Sequence, residues 1–168
     1  MNFVVQAGAA ALLISLTLSL QSAGMAALIL WIRDHLARGA HRLGIFGSAA
    51  LMVRFTSAIF VLHLLQVLLW AGFYRSLCLE SWKAAFYFSA AEYSTVGASE
   101  LVLPWMWQTL GPLESITGVL MCGLSAALLF AIVTRLVERE ERISLEHEPV
   151  SLADDPYLTG KKPKRTGW

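Results

Sequence analysis

Residues 3–32, "FVVQAGAAALLISLTLSLQSAGMAALILWI", carry no charged side chain. At about 1.5 Å per residue, a helix of this length exceeds the ~30 Å hydrocarbon thickness of a bilayer. The run is too long for the apolar region of a cleavable leader, and no Lys or Arg precedes it. A retained transmembrane helix is expected, with Trp31 at one interface. Two further runs follow. Residues 55–74, "FTSAIFVLHLLQVLLWAGFY", and residues 110–137, "LGPLESITGVLMCGLSAALLFAIVTRLV", are each long enough to cross. Arg33, Arg38 and Arg42 follow the first run, while Arg135, Arg139 and Arg142 lie at and beyond the end of the third. Three crossings put these arginines on one side. The positive-inside rule makes that side the cytoplasm and places the N-terminus outside. The second run begins at about Phe46; Arg54 interrupts it in its cytoplasmic third and is expected to snorkel to the interface. Trp70, Phe73 and Tyr74 are expected to form an aromatic belt at the outer one.

Composition supports the membrane class. The chain is 57% hydrophobic and 15% charged, where a soluble domain is about half apolar and about a quarter charged. No dinucleotide-binding glycine pattern, phosphate loop, HExxH or nucleophile elbow is present, so nothing points to an enzyme or a cofactor. Cys78 and Cys122 lie in different regions and suggest free thiols rather than a disulfide framework or zinc site. No nucleic-acid partner is expected.

Between the second and third spans lies "ESWKAAFYFSAAEYST", residues 80–95, then "VGASE" and a proline. The first part is helical in composition, with Ser81 as its N-cap, but too short to cross. A short helix followed by irregular backbone at membrane depth is a re-entrant loop, tolerated only where it is buried in protein or lines a water-filled path. The alternative is a loop lying on the outer surface. "AFYF" weighs against it, because those rings need something to pack into.

Residues 55–137 resemble the pore domain of the potassium channel superfamily, with outer helix, pore helix, filter and inner helix in that order. The chain is most similar to the small bacterial two-pore-helix proteins that carry an extra N-terminal span. "YFSAAEYSTVGASELVLP" looks like that family's pore helix and filter, and "GPLESITGVLMCGLSAALLFAIV" is similar to its inner helix. The resemblance implies an all-α membrane protein of three transmembrane helices plus a re-entrant pore helix and filter loop, assembled as a homotetramer in a bacterial inner membrane. The segments implied are an N-terminal helix and basic cytoplasmic loop (1–45), a pore domain (46–137) and a mostly disordered cytoplasmic tail (138–168) with no soluble ligand-binding domain. Within the pore domain, the outer helix is 46–74, the pore helix 81–94, the filter 95–100 and the inner helix 110–137. The filter of Thr95, Val96, Gly97, Ala98 and Ser99 would coordinate K+, and possible Na+, through backbone carbonyls. Gly97 permits the dihedrals that such a ring demands.

The sequence departs from the family text at Ala98, where a tyrosine is usual, and at Ser99, where a second glycine is usual. Thr95, Val96 and Gly97 then keep a carbonyl-lined cation site, while a wider outer half discriminates weakly against sodium. Glu100 supplies an acidic ring at the mouth. A non-conducting homologue, acting as a structural or regulatory membrane subunit, is the alternative function.

Intramembrane carboxylates default to functional readings. Glu92 is expected to be buried, with either a raised pKa or a partner. Glu114 is either a second brace behind the filter or an interfacial carboxylate beside Pro112. Gly118 and Gly123 offer close packing or a hinge on the inner helix. His63 is expected to be a neutral, hydrogen-bonded packing residue, with proton sensitivity the alternative. "KKPKR" near the end is either a solvated basic stretch or a contact for anionic lipid.

Overall fold

The computed structural model describes residues 3–37, 45–98 and 100–147, and among these it contains helices and turns but no strand. Four α-helices follow in order: α1 (Phe3–Ala37), α2 (Ile45–Leu77), α3 (Trp82–Tyr93) and α4 (Leu110–His147). A single 3-10 turn, Trp105–Trp107, precedes α4. Three segments are long and apolar enough to cross a membrane: Val4–Asp34, Ala49–Leu77 and Trp105–Arg135. The helix α3 is not, at about 18 Å. Ser81 takes the N-cap position with extended backbone, but its side chain makes no capping bond. The last helix runs past Val137 to His147, so the first turns of the expected tail continue the inner helix, as their sequence allows, up to the residues before Pro149. Arg38, Arg42, Ser99 and residues 148–168 lie outside the described residues.

Several hydroxyls within the spans bond back to their own helices. Thr17 Oγ1 donates to the Leu13 carbonyl at 2.8 Å, Ser19 Oγ to Ser15 at 2.8 Å and Thr117 Oγ1 to Leu113 at 2.7 Å. Such back-bonding suits a medium without water. The outward faces are apolar as well: Leu12, Leu30, Phe60, Val119 and Phe130 are exposed, the reverse of a soluble amphipathic helix.

Contacts divide the chain into two units, Met1–Leu129 and Phe130–Trp168. In the first, α1 and α3 both pack on α2. The core gathers Ala10 and Leu13 of α1, Trp70, Ala71 and Tyr74 of α2, and Ala85, Phe88 and Ala91 of α3. Rings meet edge to face, Tyr74 with Phe88 at 4.9 Å and Phe73 with Trp107 at 5.3 Å. The expected outer belt is therefore corrected. Trp70 and Tyr74 are fully buried because protein groups, rather than interfacial water, take their polar ends. Trp70 Nε1 donates to Thr17 Oγ1 at 3.0 Å and Tyr74 OH to Glu114 Oε2 at 2.8 Å. In the second unit, the described part is the remainder of α4, where Thr134 Oγ1 donates to the Phe130 carbonyl at 3.0 Å.

Candidate functional site: a braced turn after α3

The chain folds back over the C-terminal end of α3. The N–H groups of Ser94, Thr95 and Gly97 donate to the carbonyls of Ala90, Glu92 and Ala91 at 3.1, 2.9 and 3.0 Å. These bonds satisfy carbonyls that the helix end leaves without partners. They also force the backbone out of its ordinary range. Thr95 sits at φ 63 and Gly97 at φ 81. Glycine adopts this region freely, whereas a β-branched threonine there is an outlier costing roughly 1–2 kcal/mol. Residues 94–97 are exposed, Val96 to 81%, and Ala98 turns back into the core at 8%. Unusual dihedrals are expected from the sequence at Gly97; those at Thr95 are not.

Two carboxylates stand behind this turn, in the reverse of the expected order. Glu92 is only half-buried and Glu114 is completely buried. Glu92, in the last turn of α3, accepts the Ala98 N–H on Oε1 at 3.2 Å. Its backbone carbonyl accepts Ser115 Oγ of α4 at 2.8 Å. Gly111 makes room for it, since a Cβ there would lie 3.2 Å from Glu92 Oε2. Glu114 faces α2 and α3, and both its oxygens are occupied, by Tyr74 OH at 2.8 Å and Ser89 Oγ at 2.5 Å. Its interfacial alternative is thereby removed. Glu100 is exposed and lines a shallow depression with Ser81, Lys83 and Tyr87.

A polar chain missed in the sequence ties all four helices together. His63 Nδ1 lies 2.8 Å from Tyr93 OH, and that hydroxyl donates to Gln66 Oε1. Gln66 Nε2 donates to Gln21 Oε1 at 2.6 Å, and Gln21 Nε2 to Ser125 Oγ at 2.9 Å. His63 is half-buried and hydrogen-bonded. Because Tyr93 donates to Gln66, its oxygen accepts from His63 Nδ1–H. Gln21 and Gln66 were legible as amides inside apolar runs, where a polar group demands a partner. Gly118 sits where α4 crosses the end of α3, so a Cβ there would collide with the Tyr93 carbonyl, whereas Gly123 has nothing within 4 Å.

Outside the spans, Cys78 is a free thiol whose burial pushes its pKa up to about 11. Among the described residues, no cluster of His, Cys, Asp or Glu could hold a metal ion.

The chain is thus a helical protein with three helices long and apolar enough to span a membrane. A strained, outward-facing turn is braced between α3 and α4. Comparison with protein-family models, curated proteins and solved structures finds no match to it.

Proposed function

We propose that the chain is the pore-forming subunit of a tetrameric, weakly selective monovalent cation channel. On this reading α3 is a re-entrant pore helix, Thr95–Gly97 the carbonyl-lined part of the filter, α2 the outer helix and α4 the inner helix. Four copies of Glu100 form the acidic outer mouth. The arginine distribution puts the N-terminus outside and α4's far end in the cytoplasm, and the resemblance to small bacterial channels suggests a bacterial inner membrane.

One observation carries the reading: a β-branched residue, Thr95, is held at positive φ. Backbone strain of this kind persists only where the surroundings over-determine it, and it gathers at functional sites. An ordinary helix end uses glycine or asparagine in this conformation, so a threonine here is the unusual feature. Alternating Thr95 and Gly97 at positive φ, with the Val96 side chain outside the core, suits a segment that presents backbone oxygens to a ligand.

The test is flux of K+ and Na+ from liposomes holding the purified chain. Flux of both ions, with K+ favoured modestly, supports the proposal. Absence of monovalent cation flux under every gating condition tried would refute it and favour a non-conducting structural homologue.

A further inference from the structure

On the surface of α1 and α2, away from the braced turn, lies a groove of about 500 Å³. Gly24, Leu28 and Trp31 of α1 line one wall, and Arg54, Val61 and Leu62 of α2 line the other. The helices touch at one end of it, where Gly24 leaves space only for Leu62: a Cβ on Gly24 would lie 2.6 Å from Leu62 Cδ1. Trp31 and Arg54 both line it as well, and both are exposed. From Gly24 to Trp31 the groove follows α1 for roughly 10 Å. This is a large part of the ~15 Å depth of one bilayer leaflet.

Both walls belong to segments long and apolar enough to cross a membrane, Val4–Asp34 and Ala49–Leu77. The medium outside is therefore lipid. Arg54 lies inside the second of these segments, where a guanidinium needs an anion or a route to the interface. The rest of the wall is aliphatic apart from the Trp31 indole. An occupant that uses both features is apolar along most of its length and anionic at one end. We propose that the groove is a binding site for an anionic phospholipid of the surrounding bilayer. One acyl chain lies between Leu28 and Val61, and the phosphate is held by the Arg54 guanidinium, whose planar fork matches phosphate oxygens. The Trp31 ring covers the glycerol region. The leaflet is the one at which α1 ends and α2 begins. The site stands on the two spans alone and does not depend on ion conduction.

The experiment is native mass spectrometry of the full chain released from bilayer nanodiscs. These contain equal phosphatidylglycerol and phosphatidylcholine with identical acyl chains. The wild type is expected to retain phosphatidylglycerol about fivefold over phosphatidylcholine, the ratio that one basic residue beside an anionic lipid supports. Arg54→Gln removes the preference, and Arg54→Lys keeps part of it. Ala58→Phe, which fills the groove without altering charge, lowers retention of both lipids. Helical content by circular dichroism verifies that each variant is folded, and Ala58→Phe provides the test should Arg54→Gln fail to fold. Equal retention of the two lipids by the wild type would overturn the site. So would a preference unchanged in Arg54→Gln, undiminished retention in Ala58→Phe, or intermolecular cross-links from Ala27 and Val61 showing that a second copy covers the groove.

Discussion

Replacing Gly118 with alanine tests whether α4 is held against the end of α3 or swings there. The added Cβ meets backbone, the Tyr93 carbonyl oxygen, with the carbonyl carbon at 3.1 Å and the ring Cγ at 3.2 Å. No rotamer change relieves such a clash, so α4 must shift. Overpacking of this kind costs typically about 1–3 kcal/mol. Against it stands the helix-propensity gain of Gly→Ala, about 0.8–1 kcal/mol. The net expectation for Gly118→Ala is a loss of roughly 0–2 kcal/mol. Gly123 lies on the same helix with nothing within 4 Å, so Gly123→Ala keeps only the gain. The two variants should differ by the cost of the clash alone, roughly 1–3 kcal/mol, with Gly123→Ala the more stable. Reversible unfolding in mixed micelles, followed by circular dichroism, reads this directly as a lower midpoint for Gly118→Ala than for Gly123→Ala. In the channel reading, Gly118→Ala also alters the K+/Na+ flux ratio, because the displaced carbonyl lies two residues before Thr95. If Gly118→Ala is as stable as Gly123→Ala, the close-packing explanation fails and the position is better described as a hinge.

Glu92→Ala leaves the Ala98 N–H without its acceptor and should destabilise the turn by about 1–3 kcal/mol, while Glu92→Gln keeps an acceptor and loses less. Faster hydrogen exchange of the Ala98 amide in the alanine variant alone is the expected readout, and equal exchange in both would contradict the bracing role. Gln21→Leu and Gln66→Leu, measured singly and together, should show a coupling of about 0.6–1.7 kcal/mol, the range of side-chain hydrogen bonds inside membranes. Strict additivity would mean that the amides do not hold α1 to α2. In a Cys122→Ala background, alkylation of Cys78 should still rise about tenfold per pH unit between pH 8 and 10, because its thiolate is scarce until pH approaches about 11. A plateau near pH 9 would indicate an ordinary exposed thiol.

The spans were legible because a bilayer imposes a length and an apolarity that no other setting demands together. Their ends were less so. "EREERISLEH" fails every hydropathy criterion for a span, yet Glu, Arg and Leu are good helix formers, and α4 continues through them. Position along a helix was also easier to read than rotation about it. Trp70 and Tyr74 lie near the end of their span as expected, but they face inward. For the same reason Glu92, expected to be buried, is only half-buried, while Glu114 is fully buried. The strain at Thr95 had no sequence signature, because it comes from bonds to three carbonyls of the preceding helix rather than from the residue itself.

The missing rotational information was nevertheless present in the polar residues. In a soluble helix the apolar stripe marks the inside. In a span both faces are apolar, so hydropathy carries no phase, and a polar side chain that must find a partner becomes the marker instead. On α1 these are Thr17 and Gln21, four apart. On α2 they are Gln66, Trp70 and Tyr74, also four apart. The structure pairs them in antiparallel order, Thr17 with Trp70 and Gln21 with Gln66, and Gly24 then meets Leu62 one further turn along. A step of four forward on α1 is answered by a step of four backward on α2, which is what two helices in fixed register require. The polar residues therefore specify both the buried face and the sliding register of the first span. That span is docked by hydrogen bonds as well as by its apolar contacts, through Gln66 and Tyr93, to the residue immediately before the strained turn.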